Sequence, residues 1–176
     1  MKWKPGYLLT AGLLVSLAFI TTGCPDVCCN TARGGGSILI DDGSAKTPHK
    51  ATFGFQMVCK KDANGVPVVS GQLEYQDHRP WNALSVSFHG TLNEPLDATD
   101  AMGVAIECGP KTGAFKGTYR PQPESLGAGG TFMVEVEDVG KEGPSDGDKF
   151  KISVQDGVFA GYTQSGTLAG GNIKTF

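Results

Sequence analysis

The chain has 176 residues, room for one domain behind a leader but not for a second catalytic module. Charged residues make up 19 %, hydrophobic residues 39 %, and 26 residues are glycine, a balance that excludes both a charge-rich disordered segment and a helix-rich chain and points to a glycine-punctuated β protein. The formal charge of -3 comes without a clustered Lys/Arg stripe, so nucleic acid is not expected as a partner.

In chain order, the first element is a leader. Lys2 and Lys4 precede an uncharged apolar stretch from Tyr7 to Ile20, followed by Thr21, Thr22 and Gly23 and then Cys24. These are the basic, apolar and small-residue regions of an export signal. The 14 apolar residues fall short of the roughly 20 that a membrane-spanning helix needs, which favours a removed signal over a permanent anchor. Thr21-Thr22-Gly23-Cys24 resembles a bacterial lipobox, with Thr21 where leucine is usual, and this resemblance implies a lipid on Cys24. The domain plan is therefore a signal peptide at 1–23, a lipid-anchored flexible tether at 24–33 and a single β domain at 34–176.

Five cysteines are present, and lipidation of Cys24 leaves an even four: Cys28, Cys29, Cys59 and Cys108. Four thiols in an oxidising compartment permit three pairings. Cys59 and Cys108 each end a β-like run, and a bridge between them would restrain the unfolded chain by about 4 kcal/mol, so a Cys59–Cys108 disulfide is expected. The adjacent Cys28 and Cys29 can pair together, reach another chain or stay reduced. Zinc is disfavoured because Cys59 and Cys108 stand alone rather than in paired knuckles.

From Ala51 to the C-terminus, apolar residues recur at every second position in short runs bounded by Gly, Pro, Asn and Asp, which is the period of a strand. The pattern predicts an all-β fold of about nine or ten strands, an antiparallel β-sandwich or a closed β-barrel, because half-wet strands without crossover helices must bury their apolar faces against one another. Gly34–Ile38 and Gly170–Ile173 open short apolar runs at opposite ends and read as first and last strands, neighbours that close the sheet. Asn64-Gly65 predicts a hairpin between the Cys59 strand and the Val68 strand. Leu73, Tyr75, Val86 and Phe88 are predicted to face inward. A four-residue loop Arg79–Asn82 would pair Gln76 with Ser85, Glu74 with Ser87 and Gln72 with His89. Further along, Phe132, Val134 and Val136 share one face, as do Phe150, Ile152 and Val154.

His78 and His89, with Asp77 and Glu74 nearby, are the residue types that zinc or acid–base catalysis uses. The predicted register separates the two imidazoles by about 20 Å, so one metal cannot bridge them. Calcium suits the chain better, since acidic residues bracket the Gly/Pro-rich connection: Glu137, Asp138, Glu142, Asp146 and Asp148, with Asp41 and Asp42 forming a second acidic turn. Neither has the spacing of an EF-hand. No cofactor is expected, and Asp138, Asp146 and Asp148 are the calcium candidates. No GxSxG, HExxH, SxxK or phosphate-cradling loop occurs. Trp81 at a hairpin tip beside Arg79, with Tyr119 and Tyr162 near turns, offers rings for a glycan or a protein surface, and a tip Trp can equally tuck back over the end of the fold.

Five segments carry a family resemblance: Ala51–Phe55, Gly71–His78, His89–Thr91, Asp148–Phe150 and Gly166–Ile173. Together they resemble the post-choice-of-anchor domain, a small β-domain of exported bacterial proteins. The resemblance spans about Gly34 to Phe176 and implies an exported β-rich module with no catalytic residue to carry over. The chain departs from it at Cys59 and Cys108 and in the insertion-like loop Pro121–Gly130. The expected function is a non-enzymatic, lipid-anchored cell-envelope domain acting as a structural or interaction module, held to the membrane through Cys24 and meeting an envelope protein or glycan. A calcium-dependent or glycan-binding module and an uncharacterised hydrolase are the alternatives.

Overall fold

A computed structural model describes residues 31–40, 48–64, 67–95, 111–140 and 147–176. The described residues form eight strands: β1 (Ala32–Ile40), β2 (His49–Lys61), β3 (Pro67–Trp81), β4 (Leu84–Pro95), β5 (Thr112–Pro121), β6 (Gly130–Glu137), β7 (Lys149–Val154) and β8 (Thr163–Thr175). Each pairs antiparallel with the next, and β8 returns to β1, so the sheet closes into a barrel without a free edge. The all-β expectation holds, and of its two forms the closed barrel is the one adopted. Among the described residues the count is eight rather than nine or ten, and the strands are long, β3 alone running 15 residues.

The glycine-rich runs at the two ends of the domain do meet. Gly34 lies opposite Ile173, Gly35 opposite Asn172 and Gly36 opposite Gly171. The strand begins earlier than the tether boundary placed it: Ala32 and Arg33 already pair with Met57 and Gln56, and Ala32 is fully buried. Alternation cannot announce the Gly34-Gly35-Gly36 stretch of β1, but two flanking strands hold it.

Strand period sorts the side chains. Leu73, Tyr75, Val86 and Phe88 all lie inside, as predicted, at 2 % exposure or less. With them stand Phe53, Phe55, Phe115, Phe132, Val134, Val136, Phe150, Ile152 and Val154 in one continuous core. Its centre is aromatic: Phe53 stacks on Phe150 with ring centroids 3.8 Å apart, and Phe88 packs against Tyr119, Phe132 and Phe159. Small inward residues make the space, since a Cβ on Gly90 would lie 2.6 Å from Cε1 of Phe132. Interior layers of an eight-stranded barrel are filled in this way by alternating large and small residues.

The β3–β4 hairpin differs from its predicted register. Gln76 lies opposite Ser87, Glu74 opposite His89 and Gln72 opposite Thr91, two residues along from the expected pairs. A shift of two preserves which face each residue occupies, so the inward set was right although the pairs were not. The turn is Asn82-Ala83, both at positive φ (48° and 65°), between Trp81 and Leu84, and an irregularity between Gln76 and Pro80 takes up the remaining offset. Such tight turns are usually marked by glycine, and Ala83 hides this one.

The barrel has two distinct ends. At one, the β7–β8 connection folds inward and delivers Phe159 and Tyr162, both fully buried, over the core beside Trp81. At the other, the amide of Phe176 donates to the carbonyl of Thr31 at 2.9 Å, so both termini of the described domain leave the same end.

Candidate functional site

Polar chemistry inside the barrel is concentrated at the Trp81 end. Asp77 alternates inward behind Leu73 and Tyr75 and is fully buried. The Tyr162 hydroxyl donates to its Oδ2 at 2.8 Å, and the Tyr75 and Tyr162 hydroxyls lie 2.7 Å apart. With the Tyr162 proton committed to the carboxylate, Tyr75 is the donor in that second bond. The Arg79 amide donates to Asp77 Oδ1 at 2.9 Å, and its guanidinium approaches Oδ2 at 3.7 Å. Burial pushes both phenols above the ordinary value of 10, and in Tyr162 the proximity of Tyr75 and Asp77 adds to the rise. The network is a closed chain of donors ending on a carboxylate, and it presents no base or nucleophile to solvent.

The aromatic binding candidates belong to the same cap. Trp81 is half-buried and meets Tyr162 edge-on at 5.8 Å. Tyr119 is 3 % exposed; its hydroxyl donates to the carbonyl of Asp156 at 3.0 Å and accepts the amide of Phe159 at 3.1 Å. Burial raises its phenol as well. Arg79, half-buried, lies against Asp77. Of the two placements open to the Trp81 ring, display at the tip or packing over the end of the fold, the structure has the second, with Tyr119 and Tyr162 buried beside it, because an end with Phe159 and Tyr162 folded into it offers more apolar contact than water does.

The calcium candidates are likewise engaged in the fold. Asp148 is fully buried, with Oδ1 accepting the Val139 amide at 2.9 Å and Oδ2 accepting the Ile173 amide at 2.7 Å. Asp138 accepts the amides of Gly140 at 2.8 Å and Thr175 at 3.0 Å. These carboxylates tie the end of β6 to β8, satisfying backbone donors that a loop cannot pair. Asp146, Glu142, Asp41 and Asp42 lie outside the described residues. Among the described residues no group of three His, Cys, Asp or Glu is placed to hold a metal ion.

Cys59 is half-buried on β2, its amide donating to Oγ1 of Thr31 at 3.3 Å. Cys108, Cys24, Cys28 and Cys29 lie outside the described residues, as does the expected signal peptide at 1–23. His78 faces outward. His89 does too, but it is not the isolated surface histidine that the predicted register implied, for its Nδ1 contacts Oε1 of Glu74 directly across the strands.

That pair belongs to a feature the sequence did not reveal. Outward-facing residues opposite one another run across five strands as Asn172, Gly35, Gly54, Glu74 and His89, on β8, β1, β2, β3 and β4, and Arg120 on β5 continues the row. The two glycines leave a floor of bare backbone in the row. Arg33, Gln56 and Gln72 line it on one side, and Thr52 and Gln76 on the other. The result is a shallow, open trough on the outer wall of the barrel, lined by Phe55, Val58 and Lys174 as well as by the polar residues. No alternation could have shown it, since it depends on which residue of each strand lies opposite which. Searched against protein families, characterised proteins and solved structures, the chain matches none of them.

Proposed function

We propose that the protein is a non-enzymatic, lipid-anchored domain of the bacterial cell envelope that works as an interaction module. The observation that carries the reading is where the chemically capable residues are used. Asp77, Tyr75, Tyr162, Tyr119, Asp138 and Asp148 are committed to hydrogen bonds within the domain, which leaves Glu74, His78 and His89 among the groups of that kind on the outer wall. What is left for function is the outer wall.

The leader ending in Thr21-Thr22-Gly23-Cys24 supports the anchor. The position of Thr31 fits it as well: a tether reaching back to Cys24 departs from the end opposite Trp81, so an anchored barrel would carry the Trp81 end away from the membrane. The likeness of five segments to the post-choice-of-anchor domain supports an exported module without enzymatic activity. Cys24→Ser tests the reading. The substitution is expected to release the protein from membranes and abolish incorporation of labelled fatty acid; wild-type protein that takes up no label and fractionates as soluble would overturn it.

A further inference from the structure

Among the described residues the large hydrophobic side chains left exposed are Leu39, Val68, Val139 and Phe176, and three of the four stand at one end of the barrel. Val68 lies opposite Lys60, in the part of the β2–β3 hairpin that runs past the pairing of Met57 with Ala32. The Phe176 amide is bonded to Thr31, and Val139 follows Asp138, whose carboxylate accepts the amide of Thr175. Leu39 stands apart from them, at the Trp81 end beside the pairing of Ile40 with His49.

Single exposed hydrophobic residues are ordinary on a protein surface. These three differ in that each has a cation beside it. Lys60 faces Val68 across the ladder, the Arg33 guanidinium lies 5.2 Å from the centre of the Phe176 ring, and Nζ of Lys111 donates to the Val139 carbonyl at 3.3 Å. The described acids of the same end are drawn into the fold: Asp138 and Asp148 accept backbone amides, Glu137 pairs with Lys149 at 2.8 Å, and Asp62 accepts the amide of Asn64.

We propose that this end of the barrel docks on the membrane, with Val68, Val139 and Phe176 at the boundary between headgroups and acyl chains and Lys60, Lys111 and Arg33 at the level of the lipid phosphates. The proposal rests on the lipid-anchored reading given above, and the tether is what selects a bilayer over another apolar partner. Seven residues separate Cys24 from Thr31, and an extended chain spans at most about 3.6 Å per residue, so Thr31 is held within about 25 Å of the lipid. Anchoring turns the contact into an intramolecular one, so side chains too few to bind from solution become sufficient. Apolar tips flanked by cations suit an interface, where the apolar part enters by about 5–10 Å and the charged head stays with the phosphates. The connections 96–110 and 141–146 join strands at this end as well and lie outside the described residues; the surface is defined by the three pairs.

Lipidated full-chain protein, extracted from membranes and reconstituted into vesicles of phosphatidylethanolamine and phosphatidylglycerol with brominated or plain acyl chains, tests the contact through tryptophan fluorescence, with flotation reporting attachment. Val68→Trp and Phe176→Trp should each lose the emission of the added indole in the brominated vesicles, while wild type, whose emission then comes from Trp81 at the far end, should lose none. Adding Val68→Glu and Val139→Glu to the Phe176→Trp protein should restore its emission with the circular dichroism unchanged, since both positions are exposed. Protein that floats with the vesicles but shows no quenching at either reporter overturns the docked end and leaves the anchor standing. Quenching that the two glutamates do not diminish, or quenching of wild type, overturns it too. Protein that does not float with the vesicles overturns the anchored reading, and the docked end with it.

Discussion

The buried phenols make stability at high pH a direct readout of the capping network. Tyr75 and Tyr162 both hold their protons above the ordinary phenol value of 10, chiefly through burial, whereas in the unfolded chain they ionise near it. Below about pH 9 both states carry neutral phenols and the difference contributes fully to stability. Above about pH 10 the unfolded chain releases protons that the folded chain keeps, so stability falls by about 1.4 kcal/mol per pH unit for each phenol, about 2.7 for the two together. Tyr119 is raised in the same direction and steepens the loss. Only four tyrosines are present, Tyr7, Tyr75, Tyr119 and Tyr162, so tyrosinate absorbance follows the event closely. The assay is urea unfolding at stepped pH between about 8 and 11.5, with tyrosinate absorbance and circular dichroism read together. Ionisation and unfolding should coincide. Tyr162→Phe should lower the slope by about 1.4 kcal/mol per pH unit and, by depriving buried Asp77 of a donor, cost about 1–3 kcal/mol at neutral pH. Phenols that titrate near pH 10 in protein whose circular dichroism remains native would refute the reasoning.

Other expectations follow from single contacts. Phe88→Ala should cost about 3–5 kcal/mol in urea unfolding, since four aromatic neighbours surround a fully buried ring. Asp148→Asn should cost about 1–3 kcal/mol, because an amide cannot accept both the Val139 and Ile173 N–H groups through its two heteroatoms; a variant as stable as wild type would remove Asp148 from the framework. A thermal shift with calcium should equal that with chelator, and a rise of several degrees on calcium addition would restore Asp138 and Asp148 as ligands. Non-reducing peptide mapping should recover Cys59 joined to Cys108, and free thiols at both positions in exported material would refute that pairing.

The strand period made the inward faces readable, because each strand has one wet side and one dry side: Leu73, Tyr75, Val86, Phe88, Phe132, Val134 and Phe150 all lie where alternation put them. Closure between Gly34–Ile38 and Gly170–Ile173 was legible too, as matching glycine-rich runs at the two ends. Register was not. Pairing depends on turn geometry, and Asn82-Ala83 lacks the glycine that would have revealed a two-residue turn. Side chains near turns were undecided for a related reason. Trp81, Tyr119 and Tyr162 follow a proline, a threonine and a glycine, neighbours that suit an exposed turn and a capped barrel end alike, and only the folded path of the β7–β8 connection into the barrel carries the difference. Asp77 and Asp148 illustrate the same limit: a carboxylate in the sequence gives no sign of whether it will face solvent, a cation or two backbone amides. The trough was hidden because Gly54 and Glu74 are 20 residues apart in the chain and adjacent only across a ladder.

The lipid on Cys24 is tested most directly by mass spectrometry of the amino-terminal peptide of protein extracted from membranes. The predicted result is a peptide that begins at Cys24 and carries a diacylglycerol thioether on its sulfur. A peptide that begins at Met1, or one that begins at Cys24 with an unmodified thiol, would contradict the anchored envelope domain proposed for this chain.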